Sequence, residues 1–264
     1  MAVALNDPTI TTLVLMGLAA VCAGWVDAVV GGGGLIQIPA LLLGFPHAAP
    51  VQILATNKVS SICGTSVSAG TYYRRVKPDL RTVIPLALLA FAGSLIGASL
   101  VSHISRAAFN PIILVVLIGV GTYTLFKPGL GALTDLRFSG HRHVLAATGV
   151  GFVIGIYDGA LGPGTGSFLV FALVGLLGYA FVQASAKAKI ANVATNLAAL
   201  VIFIPAGAVM WKVGLLMGLG NLAGGYVGAR TAVAQGAGFI RVVLVIVLGA
   251  FIVKIGLDVI GQFS

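Results

Sequence analysis

Blocks of apolar residues separated by short polar gaps run along most of the chain. About 20 residues of helix cover the roughly 30 Å hydrocarbon core of a bilayer. On that measure the pattern predicts spans at about 10–30, 52–73, 82–102 and 108–126, and again at about 146–161, 184–207, 213–234 and 239–260. Two shorter apolar pieces lie near 34–45 and 166–178. They make about 16–20 Å of helix and cannot cross alone, so half-helices or re-entrant segments are expected there. The longest polar stretch is 127–145, KPGLGALTDLRFSGHRHVL, which carries Lys127, Arg137, Arg142, His141 and His143.

The two sets of blocks repeat each other. Without a gap, Gly24, Asp27, Gly31 and Gly33 fall on Gly155, Asp158, Gly162 and Gly164, and Gln52, Ala55 and Lys58 fall on Gln183, Ala186 and Lys189. Gly93, Gly97 and Ala98 fall on Gly224, Gly228 and Ala229, all at one shift of 131. The expected fold is therefore all-α: a polytopic membrane protein of two homologous repeats, 1–126 and 146–264, joined by the basic linker 127–145. Each repeat holds about four transmembrane segments with broken or re-entrant half-helices. Four crossings per repeat would make them parallel, and three or five would invert them. The basic loop 74–81 has a mate at 205–212 holding only Lys212, and this asymmetry leans toward inversion.

Composition agrees with a bilayer environment. Residues are 59% hydrophobic and 8% charged, against about 25% charged in soluble domains. The 37 glycines suit close helix packing in lipid. The net charge of +9 comes from 15 Lys and Arg against six Asp. Most of the basic residues lie in gaps between spans, such as Arg74, Arg75, Lys77 and Arg81, which is a positive-inside pattern and excludes a nucleic-acid surface. Met1 to Pro8 lack Lys and Arg, so the first block is expected to be a retained span and not a cleaved signal. Cys22 and Cys63 match no metal spacing and are expected to be small buried hydrophobes. The four His match no metal site, and no phosphate loop, Ser-His-Asp set or HExxH is present. No cofactor, no metal and no enzyme chemistry is expected.

Three features carry candidate chemistry. Asp27 and Asp158 occupy equivalent places inside apolar blocks. An intramembrane carboxylate costs about 2.5–3.5 kcal/mol on insertion scales and is a functional candidate, here for proton or cation coupling. The alternative is a structural Asp that caps a broken helix. Next come the glycine runs DAVVGGGGLIQIP and DGALGPGTGSFLV, with Gly32, Gly33, Gly34, Gly164 and Thr165. Broken helices offer free N–H groups and a positive dipole end to an anion. Third are Lys58 and Lys189, with Thr56, Asn57, Ser61, Thr65, Asn192, Thr195 and Asn196 as neutral partners nearby. Lys suits a sulfonate, sulfite or carboxylate; snorkelling, or ion pairs with Asp27 and Asp158, are the bland alternatives. The GxxxG pairs Gly93/Gly97 and Gly224/Gly228 have no polar neighbours and are assigned to helix packing.

Through GWVDAVVGGGGLIQIPALLLG, ATNKVSSICGTSVSAGTYYRR and GSLIGASL, and then YDGALGPGTGSFLV, ASAKAKIANVATNLAAL and GGYVGAR, the chain closely resembles the sulfite exporter TauE/SafE family over about residues 10–258. Asp27, Gly31 to Gly34, Thr56, Asn57 and Lys58 match the first motif. Asp158, Gly162, Pro163, Gly164, Lys189, Asn192, Thr195 and Asn196 match the second. The resemblance implies a multi-pass carrier of the cell inner (plasma) membrane that exports a small anion, such as sulfite or an organosulfonate like sulfoacetate. Some family members are assigned to other sulfur compounds or to small carboxylates. The expected partners are a small anionic substrate and the lipid bilayer. Substrate contact is expected at Gly32, Gly33, Gly34, Thr56, Asn57, Lys58, Gly164, Thr165, Lys189, Asn192 and Asn196, and proton coupling at Asp27 and Asp158. A passive anion channel or uniporter is the alternative. The sequence leaves open the coupling ion, the sides occupied by the termini, and whether the chain forms a homo-oligomer.

Overall fold

A computed structural model describes residues 9–101 and 133–263. Among these residues the structure is helix and turn without strands: α1 (Ile10–Val30), α2 (Gly34–Gly44), α3 (Pro50–Val76), α4 (Leu80–Leu100), α5 (Gly140–Ala160), α6 (Thr165–Gly175), α7 (Phe181–Phe203) and α8 (Trp211–Phe263). The expected span at 108–126 and the first part of the linker lie outside the described residues. Most of the remaining expectations match a helix to within a few residues. The linker ends earlier than expected, because its GHRHVL segment already forms the first turns of α5. The last two expected spans form one helix broken at Gly236, whose φ of 76° and ψ of −164° leave the helical region.

Among the described residues, five helices are long and apolar enough to cross a membrane: α1, α4, α5, α7, and α8 over Trp211–Val247. α3 has 27 residues but is not among them, because its first half reads ATNKVSS. That polar stretch is screened from lipid: Thr56, Asn57, Lys58 and Ser60 are all buried. Large apolar side chains such as Leu18, Leu88, Val153 and Leu219 point outward instead, as lipid-facing surfaces require.

Glycine contacts fix the helix directions. Gly93 and Gly97 of α4 lie against the backbone of Phe152 and Ile156 of α5. Gly224 and Gly228 of α8 lie against Val21 and Trp25 of α1. Residue numbers rise together in both pairings, so both are parallel, and the packing role of these GxxxG pairs is met. A shift of 131 residues converts one set of contacts into the other. By contrast, Asn196 of α7 donates to Thr65 of α3, and Met210 beyond α7 donates to Thr56 near the start of α3. One number rises as the other falls, so α3 and α7 run antiparallel.

These directions place the starts of α4, α5 and α7 at one face, with Arg74, Arg75, Lys77, Arg81, Arg137 and Arg142. The starts of α1, α3 and α8 lie at the other. α2 doubles back along α1, since Gly44 rests on Thr12 and Met16. α6 doubles back along α5, since Tyr179 after it bonds to His143. Two hairpins thus enter from opposite faces. Both short helices return to the face where their hairpin begins, as 11 residues and about 16 Å allow.

Gly224→Val tests the close crossings. Its Cβ would overlap the Val21 carbonyl, and overpacking of this kind costs about 1–3 kcal/mol. The variant is expected to lose monodisperse protein at lower temperature in detergent. Gly149→Ala, whose Cβ meets nothing among the described residues, should behave as wild type.

Candidate functional site

The tips of the two hairpins meet. α1 is capped by Gly31, whose φ of 88° is open to glycine without strain and whose N–H closes onto the Asp27 carbonyl at 2.7 Å. The Gly31 backbone lies directly against Gly166, with no room for a side chain on either. Ser167 fastens the crossing: its N–H donates to the Gly31 carbonyl at 3.2 Å and its Oγ to the Val30 carbonyl at 2.7 Å. On the other tip, the Tyr157 hydroxyl donates to the Pro163 carbonyl at 2.6 Å.

Around this crossing stand two ion pairs. Lys58 Nζ lies 2.6 Å from Asp158 Oδ2, and Lys189 Nζ lies 3.0 Å from Asp27 Oδ2. Each lysine pairs with the aspartate of the other half of the chain. Lys189 also donates to the Asp27 backbone carbonyl, and Asp27 Oδ1 accepts the Gly33 N–H at 3.4 Å. Lys58 is 2% exposed and Lys189 0%, which excludes snorkelling for both. Two of the sequence readings hold together here: Asp27 binds an N–H of a helix start, and it also neutralises a lysine.

Between the tips lies a polar cavity of about 10 Å³, room for about one water molecule. Asp27, Asp158 and Lys58 reach it, as do the amides of Asn57, Asn192 and Asn196. Gly34, Gly164 and Thr165 supply backbone from the starts of α2 and α6, where the first N–H groups of a helix have no partner within it. The oxygen of the buried Asn57 amide has no hydrogen-bond partner among the described residues, so this wall holds an open polar position.

The other expected residues stand behind the wall. Lys189 meets the cavity only through Asp27, and Gly33 supports that carboxylate. Gly32 does not line the cavity. Thr56 accepts the Met210 N–H at 3.1 Å and so ties α3 to the start of α8. Gly31, Ser61, Gly162 and Gly166 line the cavity although they were not singled out as substrate contacts. Ser61 is one helical turn from Lys58, and Gly31 and Gly162 are equivalent at the 131 shift, so those three were within reach of the sequence. Gly166 belongs to the glycine run DGALGPGTGSFLV but has Leu35 at its 131-shifted place, and its position follows from a contact made 135 residues away.

Two smaller expectations change. Cys22 is exposed and Cys63 half-buried; the outer surface of this bundle faces hydrocarbon, so a small apolar side chain is at ease there. His143 belongs to α5, buried and bonded at 2.6 Å to the Tyr179 hydroxyl, and is not a linker residue. No group of three or more metal-ligating side chains occurs among the described residues.

A family model described as Sulfite exporter TauE/SafE matches residues 16–255. A probable membrane transporter protein, ORF9, of a Sinorhizobium species is 38% identical over 255 residues, 96% of both chains. A probable membrane transporter protein of Haemophilus influenzae is 36% identical over 242 residues, 91% of this chain and 92% of the relative. The probable membrane transporter protein YfcA of Escherichia coli K12 is 36% identical over 250 residues, 92% of this chain and 89% of the relative. No solved structure matches the chain.

Proposed function

We propose, from the premise that this multi-pass plasma-membrane chain belongs to the sulfite exporter TauE/SafE family, that it is a secondary carrier exporting a small sulfur oxyanion or organosulfonate. The family carries the transport role. The observation that carries the mechanism is the exchanged pair of buried ion pairs, Lys58–Asp158 and Lys189–Asp27, at the meeting of two broken helices. The antiparallel course of α3 and α7 supports reading the halves as inverted repeats, with a site at their interface. The basic face is then cytoplasmic.

The chemistry follows from charge balance. With both pairs intact the site is neutral. An arriving anion competes with a carboxylate for its lysine, and the free N–H groups at the starts of α2 and α6 assist the anion. A displaced carboxylate left ionised in a dry cavity is costly, so it takes up a proton. A monoanion and one proton then cross together without net charge, and a dianion such as sulfoacetate, displacing both carboxylates, crosses with two. Alternating access rocks the two repeats about the site, which must open beyond one water's volume to admit the anion.

Flux of sulfite and sulfoacetate into liposomes holding the purified protein tests this reading. Saturable flux, accelerated by acid on the side where the anion loads, is the expected result. Flux that responds to membrane potential and ignores the pH gradient would replace proton coupling with a uniporter or channel. No flux of either anion would remove the substrate assignment.

A further inference from the structure

α7 carries a third buried lysine that the central site does not use. Lys187 is 1% exposed, and among the described residues no carboxylate comes within ion-pair distance of it. Its ammonium lies 4.6 Å above the centre of the Tyr179 ring. The Tyr179 hydroxyl is bonded at 2.6 Å to His143 Nε2, and the other ring nitrogen, Nδ1, is buried and meets no hydrogen-bond partner of good geometry among the described residues, although the Phe138 backbone also acts on the ring. Asp79 is within Coulombic reach of Lys187, but its oxygens already accept the Arg81 N–H at 3.1 Å and the Thr82 hydroxyl at 2.9 Å. Burial works to raise the Asp79 carboxyl, and these two donors together with Lys187 hold it below its usual range. That carboxylate is committed to capping α4.

An aromatic face compensates an ammonium by about 0.5–2 kcal/mol, whereas a charge taken from water costs several kcal/mol. With Tyr179 under it and the Asp79 carboxylate acting only at longer range, Lys187 has no direct ion-pair partner among the described residues. When Tyr179 donates to Nε2, the imidazole proton sits on Nδ1, and Lys187 and His143 both present donors. The cluster lies about 9 Å inside the start of α7, at the basic face. At the 131 shift, Lys187, His143 and Tyr179 correspond to Thr56, Thr12 and Ala48, so only one end of the molecule has this cluster.

We infer that Lys187 and His143 form a second anion site, a loading station at the basic face for a small oxyanion. The inference rests on reading the chain as an anion carrier. The test is equilibrium dialysis of radiolabelled sulfite against the full chain in detergent. Lys187→Met should lose roughly half of the sulfite bound at saturation, one charge-assisted contact being gone, and Lys187→Arg should restore it. If Lys187→Met does not fold, Lys187→Gln is judged by the same criterion. Unchanged saturation in the neutral variant overturns the second site and leaves the carrier reading standing. No sulfite bound by the wild type overturns both. A repeat with phosphatidylglycerol in the detergent separates the two sources of an oxyanion. Continued full binding supports the soluble ion, and loss of only the Lys187-dependent half assigns the site to a lipid headgroup instead.

Discussion

Lys58→Met is expected to abolish sulfite flux and to cost about 3–5 kcal/mol, because it strands the Asp158 carboxylate in a buried site. The double variant Lys58→Met/Asp158→Asn separates the two losses. Removing both members of a buried pair is often neutral or stabilising, so its melting temperature in detergent should return to near the wild-type value. Its flux should stay absent, since no ammonium remains for the anion to win. Wild-type flux in the double variant would reduce the pair to a structural tie. Lys189→Met/Asp27→Asn is expected to behave alike in stability. Lys189 meets the cavity only through Asp27, so a residual flux there would place the anion on the Lys58 side of the site.

Gly31→Ala carries the next largest effect. At a φ of 88° an alanine pays about 1–2 kcal/mol for the left-handed region. Its Cβ would also enter the backbone of Gly166 and Ser167, and neither neighbour has a flexible end to swing away. Together these terms are on the order of 3 kcal/mol or more, and the two tips can no longer cross. Loss of folded protein on expression is the expected readout. Gly34→Ala is the control: its Cβ would meet Pro163 Cα at 3.4 Å and Asn57 Nδ2 at 3.8 Å, ordinary contacts. That variant should fold and carry reduced flux, because the added methyl narrows the cavity wall. If both variants fold equally well, the tip crossing does not hold the site together.

Much of this architecture is legible in the amino-acid sequence alone. The period and length of the apolar blocks locate α1, α4 and α7 because hydrocarbon accepts only long runs with few charges. The two short blocks announced half-helices, since 11 residues cannot span a bilayer. The single register linking Asp27 to Asp158 and Lys58 to Lys189 singled out the charged residues, because an unneeded charge is expensive at membrane depth. α3 was the exception in composition: its polar ATNKVSS segment is tolerable only where neighbouring helices shield it.

Pairing and direction needed the tertiary structure. Spacing alone cannot say whether Lys58 reaches Asp158, Asp27 or the headgroups, because an ion pair joins residues 100 positions apart through the packing of whole helices. The isolation of Lys187 is likewise invisible in AKAK, where it stands two residues from a lysine with a partner. The antiparallel course of α3 and α7 was undecided because hydropathy does not register which short helices turn back. The sequence by itself determined the solvent, the helices and the charged groups, since each follows from a local transfer cost. Only the tertiary structure decided which charge meets which, and where a pocket remains, because those depend on distances between segments that the chain order does not contain.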